Sequence, residues 1–187
     1  DLFEQAHQLP HGVQRSHVAL LRAERLTRNG ALDDADLWTL RALRNARETG
    51  HRGHQLRCLC TRASLLARRG AAEEARTVME STSAYGDYDT VLPYVVLRAS
   101  AEGDVARALG HCGDARVAYS VARSAASVIQ DEAAVRDLSD RLAATDETAD
   151  ADPAGRDERV TELPVPCGPA TASGEPAAES FEDVIGA

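Results

Sequence analysis

Three glycines set a register along the chain that leaves little choice of fold. Five residues after Gly30, Gly70 and Gly113 stands an alanine, Ala35, Ala75 and Ala118. Seven residues before each stands another, Ala23, Ala63 and Ala106, and four before each a leucine, Leu26, Leu66 and Leu109. Twelve residues after Gly30 and Gly113 come Ala42 and Ala125, where the middle copy has Thr82. Two antiparallel helices approach closely where a small side chain faces its neighbour, and glycine lets the chain turn sharply between them. A hairpin of this kind leaves an apolar face that the next hairpin buries, so the repeat predicts an all-α solenoid of about three hairpins.

Composition agrees. Apolar residues make up 43% of the chain and aromatics only 4%, so the core is built from Ala, Leu and Val. Such a core suits close-packed helices better than a β-sandwich or barrel. No segment sustains strict alternation, so no sheet is expected. The first helix spans roughly 13–29, with Val18, Leu21 and Leu26 on an apolar face, and stops at Asn29-Gly30. Asp33 or Asp34 caps a second helix through Leu37, Trp38, Leu40 and Leu43, ending at Gly50. Further helices cover roughly His54–Arg69, Glu73–Ser83, Val91–His111 and Ala115–Gln130, with a loop at Ala84–Asp89 and Pro93 in a first turn. The hairpins are thus 13–50, 53–84 and 91–130, and a capping helix covers 131–144 with Leu138 and Leu142 on one face.

From Thr145 the character changes. Five of the seven prolines lie in the last stretch, which is rich in Asp, Glu, Ala, Ser and Thr. Its apolar residues are too few to offset ordering entropy, so the domain is placed at 1–145 and a disordered tail at 146–187. At Glu179–Ile185, Phe181, Val184 and Ile185 share one helical face, a short motif able to dock in a groove.

Charge divides along the same lines. Residues 1–70 carry 12 Arg and 7 acids, 71–143 carry 7 Arg and 12 acids, and 144–187 carry 2 Arg and 11 acids. The body is neutral and the net charge of −9 resides in the tail. A neutral body gives no footprint for direct nucleic-acid binding, and an acidic tail repels phosphate. All 21 basic residues are Arg, which together with abundant Ala and Gly points to a GC-rich, actinobacterial source. The four cysteines (Cys58, Cys60, Cys112, Cys167) are irregularly spaced, as expected of reduced thiols in a cytoplasmic protein. No apolar run is long enough to span a membrane and no signal peptide is visible. A chain that begins at Asp1 is expected to be processed or a piece of a longer one.

The glycine, alanine and leucine register resembles the tetratricopeptide repeat, over roughly 13–127, with Asp131–Ala144 similar to its capping helix. The expected tryptophan of each repeat is replaced by Ala19, Leu59 or Glu102, and the copies are 40 and 43 residues apart. Longer repeats of this type resemble those of kinesin light chains and of the helical arms of bacterial regulators and signalling ATPases. The resemblance implies a right-handed solenoid whose first helices line a concave groove. The lining residues it implies are His17, Leu20, Glu24, Thr27 and Arg28 in the first copy. They are Arg57, Cys60, Ser64, Ala67 and Arg68 in the second, and Ser100, Gly103, Arg107, Gly110 and His111 in the third. Forked arginine donors on a floor of small residues suit a protein or peptide carrying carboxylates. The chain's own acidic tail is a further candidate occupant. The absence of Lys argues against the family's chaperone-tail clamp.

Signals for chemistry are thin. His51, His54, Cys58 and Cys60 have a workable metal spacing only for His54 and Cys58, because Cys58 and Cys60 point roughly 200° apart on a helix. No phosphate loop or nucleophile elbow is present. The pairs Asp33-Asp34 and Glu73-Glu74 suit helix starts. Trp38 is expected in the core. The sequence therefore predicts a non-enzymatic binding module without cofactor or metal, the sensor or scaffold arm of a bacterial regulatory protein. The alternative is the C-terminal helical part of a transcription regulator or signalling ATPase whose DNA-binding or nucleotide-binding domain lies upstream.

Overall fold

Helix follows from the density of Ala, Leu and Arg between glycine stops, and glycine sets where each helix ends. The structure, a computed structural model, describes residues 11–151. Among these it is all-α: α1 His11–Arg28, α2 Leu32–Glu48, α3 Arg52–Arg68, α4 Ala72–Glu80, α5 Leu92–Ala108, α6 Cys112–Val128 and α7 Glu132–Ala151. From α2 onward a helix starts every 20 residues, at 32, 52, 72, 92, 112 and 132. The repeat unit is therefore a hairpin of 40 residues.

Five helices end in the same hydrogen-bonded cap. After α1, Gly30 N donates to Thr27 O (3.1 Å) and Ala31 N reaches back to Leu26 O (3.0 Å). The same pair of bonds recurs at Gly50, Gly70, Gly110 and Gln130. The geometry requires positive φ at the cap residue, observed at +65° to +80° in the four glycines and +58° in Gln130. Glycine takes that conformation without a Cβ penalty, whereas Gln130 carries it as strain. The helix expected to run to His111 thus stops at Ala108, and Gly113 lies inside α6. Two glycines three residues apart offered two stops, and the bonds of Gly110 and His111 N to Arg107 O and Ala106 O select the first.

With Gly110 in place of Gly113, all three copies are 40 residues apart. The small residues then align as Ala23, Ala63 and Gly103, as Ala35, Ala75 and Ala115, and as Ala42, Thr82 and Ala122, every one buried. The third set replaces the expected Ala106, Ala118 and Ala125. Asp33 and Asp34 sit within the first turn of α2 and the cap position is Ala31, without a side-chain bond. On α1 the buried stripe is Val13, Ser16, Ala19, Leu20 and Ala23, while Val18 is 54% exposed.

The one irregular end is that of α4. It continues as a 3-10 segment, Ser81–Tyr88, over the stretch expected as a loop. Tyr85 OH donates to Gln55 Oε1 (2.8 Å) and Arg52 donates to Ala84 O (2.8 Å), which fold this segment onto the start of α3.

Successive helices pack on one another, and α3 also packs on α5, the first helix of the next hairpin. One apolar cluster joins α1 to α4 through Leu20, Leu43, Leu59 and Leu66, and reaches Val105 of α5. A second joins α5 to α7 around Tyr119 and Leu138. A small cluster of Leu56, Cys60 and Ala101, flanked by Tyr85, Tyr88 and Tyr94, lies between them. The last helix runs to Ala151, beyond the domain end expected at 145. Thr145 is fully buried and Asp146 pairs with Arg116 at 2.9 Å, which hold the extra turn against α6. The expected tail from residue 152 onward lies outside the described residues. No described helix is long and apolar enough to cross a membrane.

Candidate functional site

The first helices of the hairpins, α1, α3 and α5, bring the expected groove residues together in two groups. Between α1 and α3, Arg57 donates to Glu24 at 3.0 Å, both side chains about a third exposed (38% and 34%). His17 lies beside this pair, its ring 5.9 Å from that of His54. Burial, and then the nearby Arg57, hold His17 below the ordinary histidine range, with Glu24 opposing. Glu24 and Arg57 thus satisfy each other.

Between α3 and α5 the arrangement is different. Ala67, Arg68, Asp104, Arg107 and Ala108 line a groove of about 290 Å³. Arg68 and Arg107 are exposed and make no ion pair among the described residues. Asp104 lines the same groove, but its carboxylate is already engaged. Tyr119 donates to it at 2.8 Å and Arg141 at 2.9 and 3.0 Å, with Arg141 also donating to Ser100 at 3.1 Å. Only 3% of the Asp104 side chain is exposed. The groove therefore presents two guanidiniums that pair with no described carboxylate, next to an Asp104 that Arg141 and Tyr119 hold.

The remaining expected residues scatter. Ser64 is half-buried on α3 between the two groups, and Arg28 is exposed in the last turn of α1, where the helix dipole favours a cation. His111 caps α6 instead of ending α5, and its ring faces Asp114 at 4.0 Å. Leu20, Cys60 and Gly103 are buried and cannot line a groove. In the 40-residue register the third-copy positions are Leu97, Ser100, Asp104, Arg107 and Ala108. Only the choice of Gly110 over Gly113 reveals that Asp104 is the counterpart of Glu24.

The histidine and cysteine cluster is a structural seam. His51 Nδ1 accepts from His54 N at 3.3 Å and so caps α3. The His54 ring is pressed between those of His51 and His17, and its Nδ1 is buried without a hydrogen-bond partner. Burial, followed by His51, Arg57 and His17, pulls its pKa down to about 4. Burial pushes the Cys58 thiol up to about 11 and Cys60 up to about 12, so both stay protonated and unreactive near neutrality. Among the described residues no three metal-ligating side chains converge.

Trp38 is half-buried against the first core cluster, and two guanidiniums lie over its ring, Arg22 at 4.1 Å and Arg41 at 4.7 Å. Sequence reasoning named Trp38 but had no signal for the arginines, which come from two helices. No protein-family model, curated protein or solved structure matches the chain.

Proposed function

We propose that the chain is a protein-binding module, a right-handed solenoid of three tetratricopeptide-like hairpins closed by α7, that takes an acidic peptide segment of a partner protein. The observation that carries this reading is that Arg68 and Arg107, neither in an ion pair among the described residues, line one groove with Ala67 and Ala108. Forked guanidinium donors bind carboxylates in a fixed plane, and small floor residues let a peptide backbone come close. The 40-residue repeat of buried small residues supports the solenoid, because it places equivalent helix faces in series. As in regulatory proteins built this way, the groove recognises and the chemistry lies in the partner. The module is read as the sensor or scaffold arm of a bacterial regulator.

The test is fluorescence anisotropy of labelled peptides of about ten residues carrying paired carboxylates, titrated with the full chain. Binding that weakens about tenfold in Arg68→Ala/Arg107→Ala, and falls with added salt, supports the reading. Equal binding by the double variant, or none by the native chain, overturns it.

A further inference from the structure

The repeat leaves one face of hairpin 3 under-filled. In hairpin 2, Leu59 and Leu66 of α3 and Val78 of α4 are at most 9% exposed and share the first core cluster with Trp38, Ala42 and Leu43 of α2. Forty residues on, their counterparts are Ala99, Ala106 and Ala118, so every large side chain of the set is shortened. The covering helix is shortened too. Helix α2 has 17 residues, whereas its counterpart α4 has nine. In the place of Arg41–Glu48 stands the 3-10 segment Ser81–Tyr88, which the bonds of Tyr85 and Arg52 draw onto the start of α3.

The two losses open a groove of about 340 Å³ between α5 and α6. Ala99, Glu102 and Ala106 line it from α5, and Asp114, Val117, Ala118 and Val121 from α6. A smaller cleft of about 190 Å³ shares Ala99, Glu102 and Val121 with it and reaches Leu56, Tyr88 and Tyr94. Val117 and Val121 are 66% and 47% exposed, and with the exposed Val128 they fall within about 40° on the wheel of α6. From 99 to 106 and from 114 to 121, each wall rises about 10 Å, two turns of helix.

Both charged residues lining the groove are carboxylates. Asp114 is exposed, and the group it pairs with is His111 at 4.0 Å. Glu102 stands 3.3 Å from Arg98 Nε, which makes no hydrogen bond, while another nitrogen of Arg98 donates to Asp89. Across the groove and the adjoining cleft, Asp89, Glu102 and Asp114 therefore outnumber the single arginine. The arginines of α6, Arg116 and Arg123, do not line the groove.

We infer that this groove docks a basic amphipathic helix of a partner protein. The docked helix stands in for the two turns that α4 lacks relative to α2. Its apolar side chains, recurring at i, i+3 or i+4 and i+7, fill the hollows over Ala99, Ala106 and Ala118 and cover Val117 and Val121. Its Lys or Arg side chains meet Glu102 and Asp114 at the rim. The surface is thus opposite in charge to the Arg68–Arg107 groove, and its use does not depend on that reading.

The probe is a labelled helical peptide of about 14 residues, with Leu at i, i+3 and i+7 and Lys and Ala elsewhere, titrated with the full chain by fluorescence anisotropy. A scrambled peptide of the same composition controls for plain attraction to the chain's negative charge. Binding that weakens about tenfold in Val117→Lys/Val121→Lys supports docking, and these exposed positions leave the fold intact by circular dichroism. Ala106→Leu/Ala118→Val restores the side chains of hairpin 2 and is expected to close the groove with a similar loss. Glu102→Gln/Asp114→Asn is expected to weaken binding about threefold and to flatten its salt dependence. Unchanged binding in Val117→Lys/Val121→Lys, equal binding of the scrambled peptide, or no binding by the native chain overturns the inference. Self-association of the native chain that Val117→Lys/Val121→Lys abolishes assigns the groove to a second copy and also overturns it. Arg68→Ala/Arg107→Ala is expected to leave binding of this peptide unchanged, which separates this groove from the other.

Discussion

Hairpins 1 and 3 share a length and a register but meet the same packing demand in opposite ways. In hairpin 1 the equivalent buried positions on its two helices are Ala23 and Thr39, both fully buried, with Thr39 turned back to donate to Ala35 O at 2.8 Å. In hairpin 3 they are Gly103 and Tyr119, and a Cβ on residue 103 would run into the Tyr119 ring. Volume has moved from one helix to the other. The exchange lets a phenol reach across to Asp104, and with Arg141 it ties α5, α6 and α7 into one polar lock. Hairpin 1 has no fully buried carboxylate of this kind. Its Asp36, with 14% of the side chain exposed, pairs with Arg62 at 2.9 Å and Arg69 at 3.4 Å, and its half-exposed Glu24 pairs with Arg57. A repeat can thus keep one backbone period while tying its carboxylates down to different degrees in different copies.

The largest effect expected from this contrast is at Arg141. Arg141→Leu strands the buried Asp104 carboxylate with Tyr119 and is expected to cost about 3 kcal/mol, read from the denaturant midpoint. Its counterpart Arg57→Leu breaks the half-exposed pair with Glu24 and is expected to cost less than about 1 kcal/mol. Equal losses would dissolve the distinction between the two ends.

Next comes the exchanged volume. Gly103→Ala is expected to destabilise by about 2 kcal/mol through overpacking against Tyr119. Ala23→Gly, the reverse change in hairpin 1, is expected to cost about 1 kcal/mol from backbone entropy alone. Thermal melts of the two variants rank them, and a milder Gly103→Ala would mean that the Tyr119 ring has room to move.

The caps sharpen the period itself. Gly70→Ala forces a Cβ into positive φ and is expected to cost about 1 kcal/mol, whereas Gln130→Gly removes the same strain and is expected to add between about 0.5 and 1 kcal/mol. A destabilising Gln130→Gly would show that the Gln130 side chain matters more than its backbone.

The smallest effect is a slope with pH. His54 binds a proton in the folded chain only near pH 4, against the ordinary histidine value of 6.5. Between those values the unfolded chain takes up more protons, so stability is full above pH 6.5 and declines as pH falls toward 4. The residue is only partly buried, which makes the decline shallow. His54→Gln is expected to flatten it in denaturant titrations at a series of pH values, and an unchanged slope would remove His54 as its source. The Asp104 lock has no histidine, so the decline is expected to begin in the first two hairpins.

Much of this was legible in the residues. Helix, hairpin and the first two glycine caps followed from local chemistry, since a C-terminal cap is made by a few consecutive backbone groups. The groove arginines Arg68 and Arg107 were named from the resemblance, Arg107 at a register position that the cap at Gly110 shifts. What local chemistry could not resolve was every choice that needs a second helix. Gly110 and Gly113 are equally able to end a helix, and Val18 and Leu20 are equally apolar. Glu24 and Arg57 are 33 residues apart.

The sequence by itself determined the helical class, the stops at Gly30, Gly50 and Gly70 and the total charge of each stretch of the chain. These depend on φ preferences, side-chain entropy and composition, which act within a turn or two. The tertiary structure alone decided which charges cancel and which remain. Glu24 neutralises Arg57 and Arg141 neutralises Asp104, while Arg68, Arg107 and the Arg22 and Arg41 over Trp38 have no ion-pair partner among the described residues. An ion pair depends on a few ångströms between helices, and only packing sets that distance.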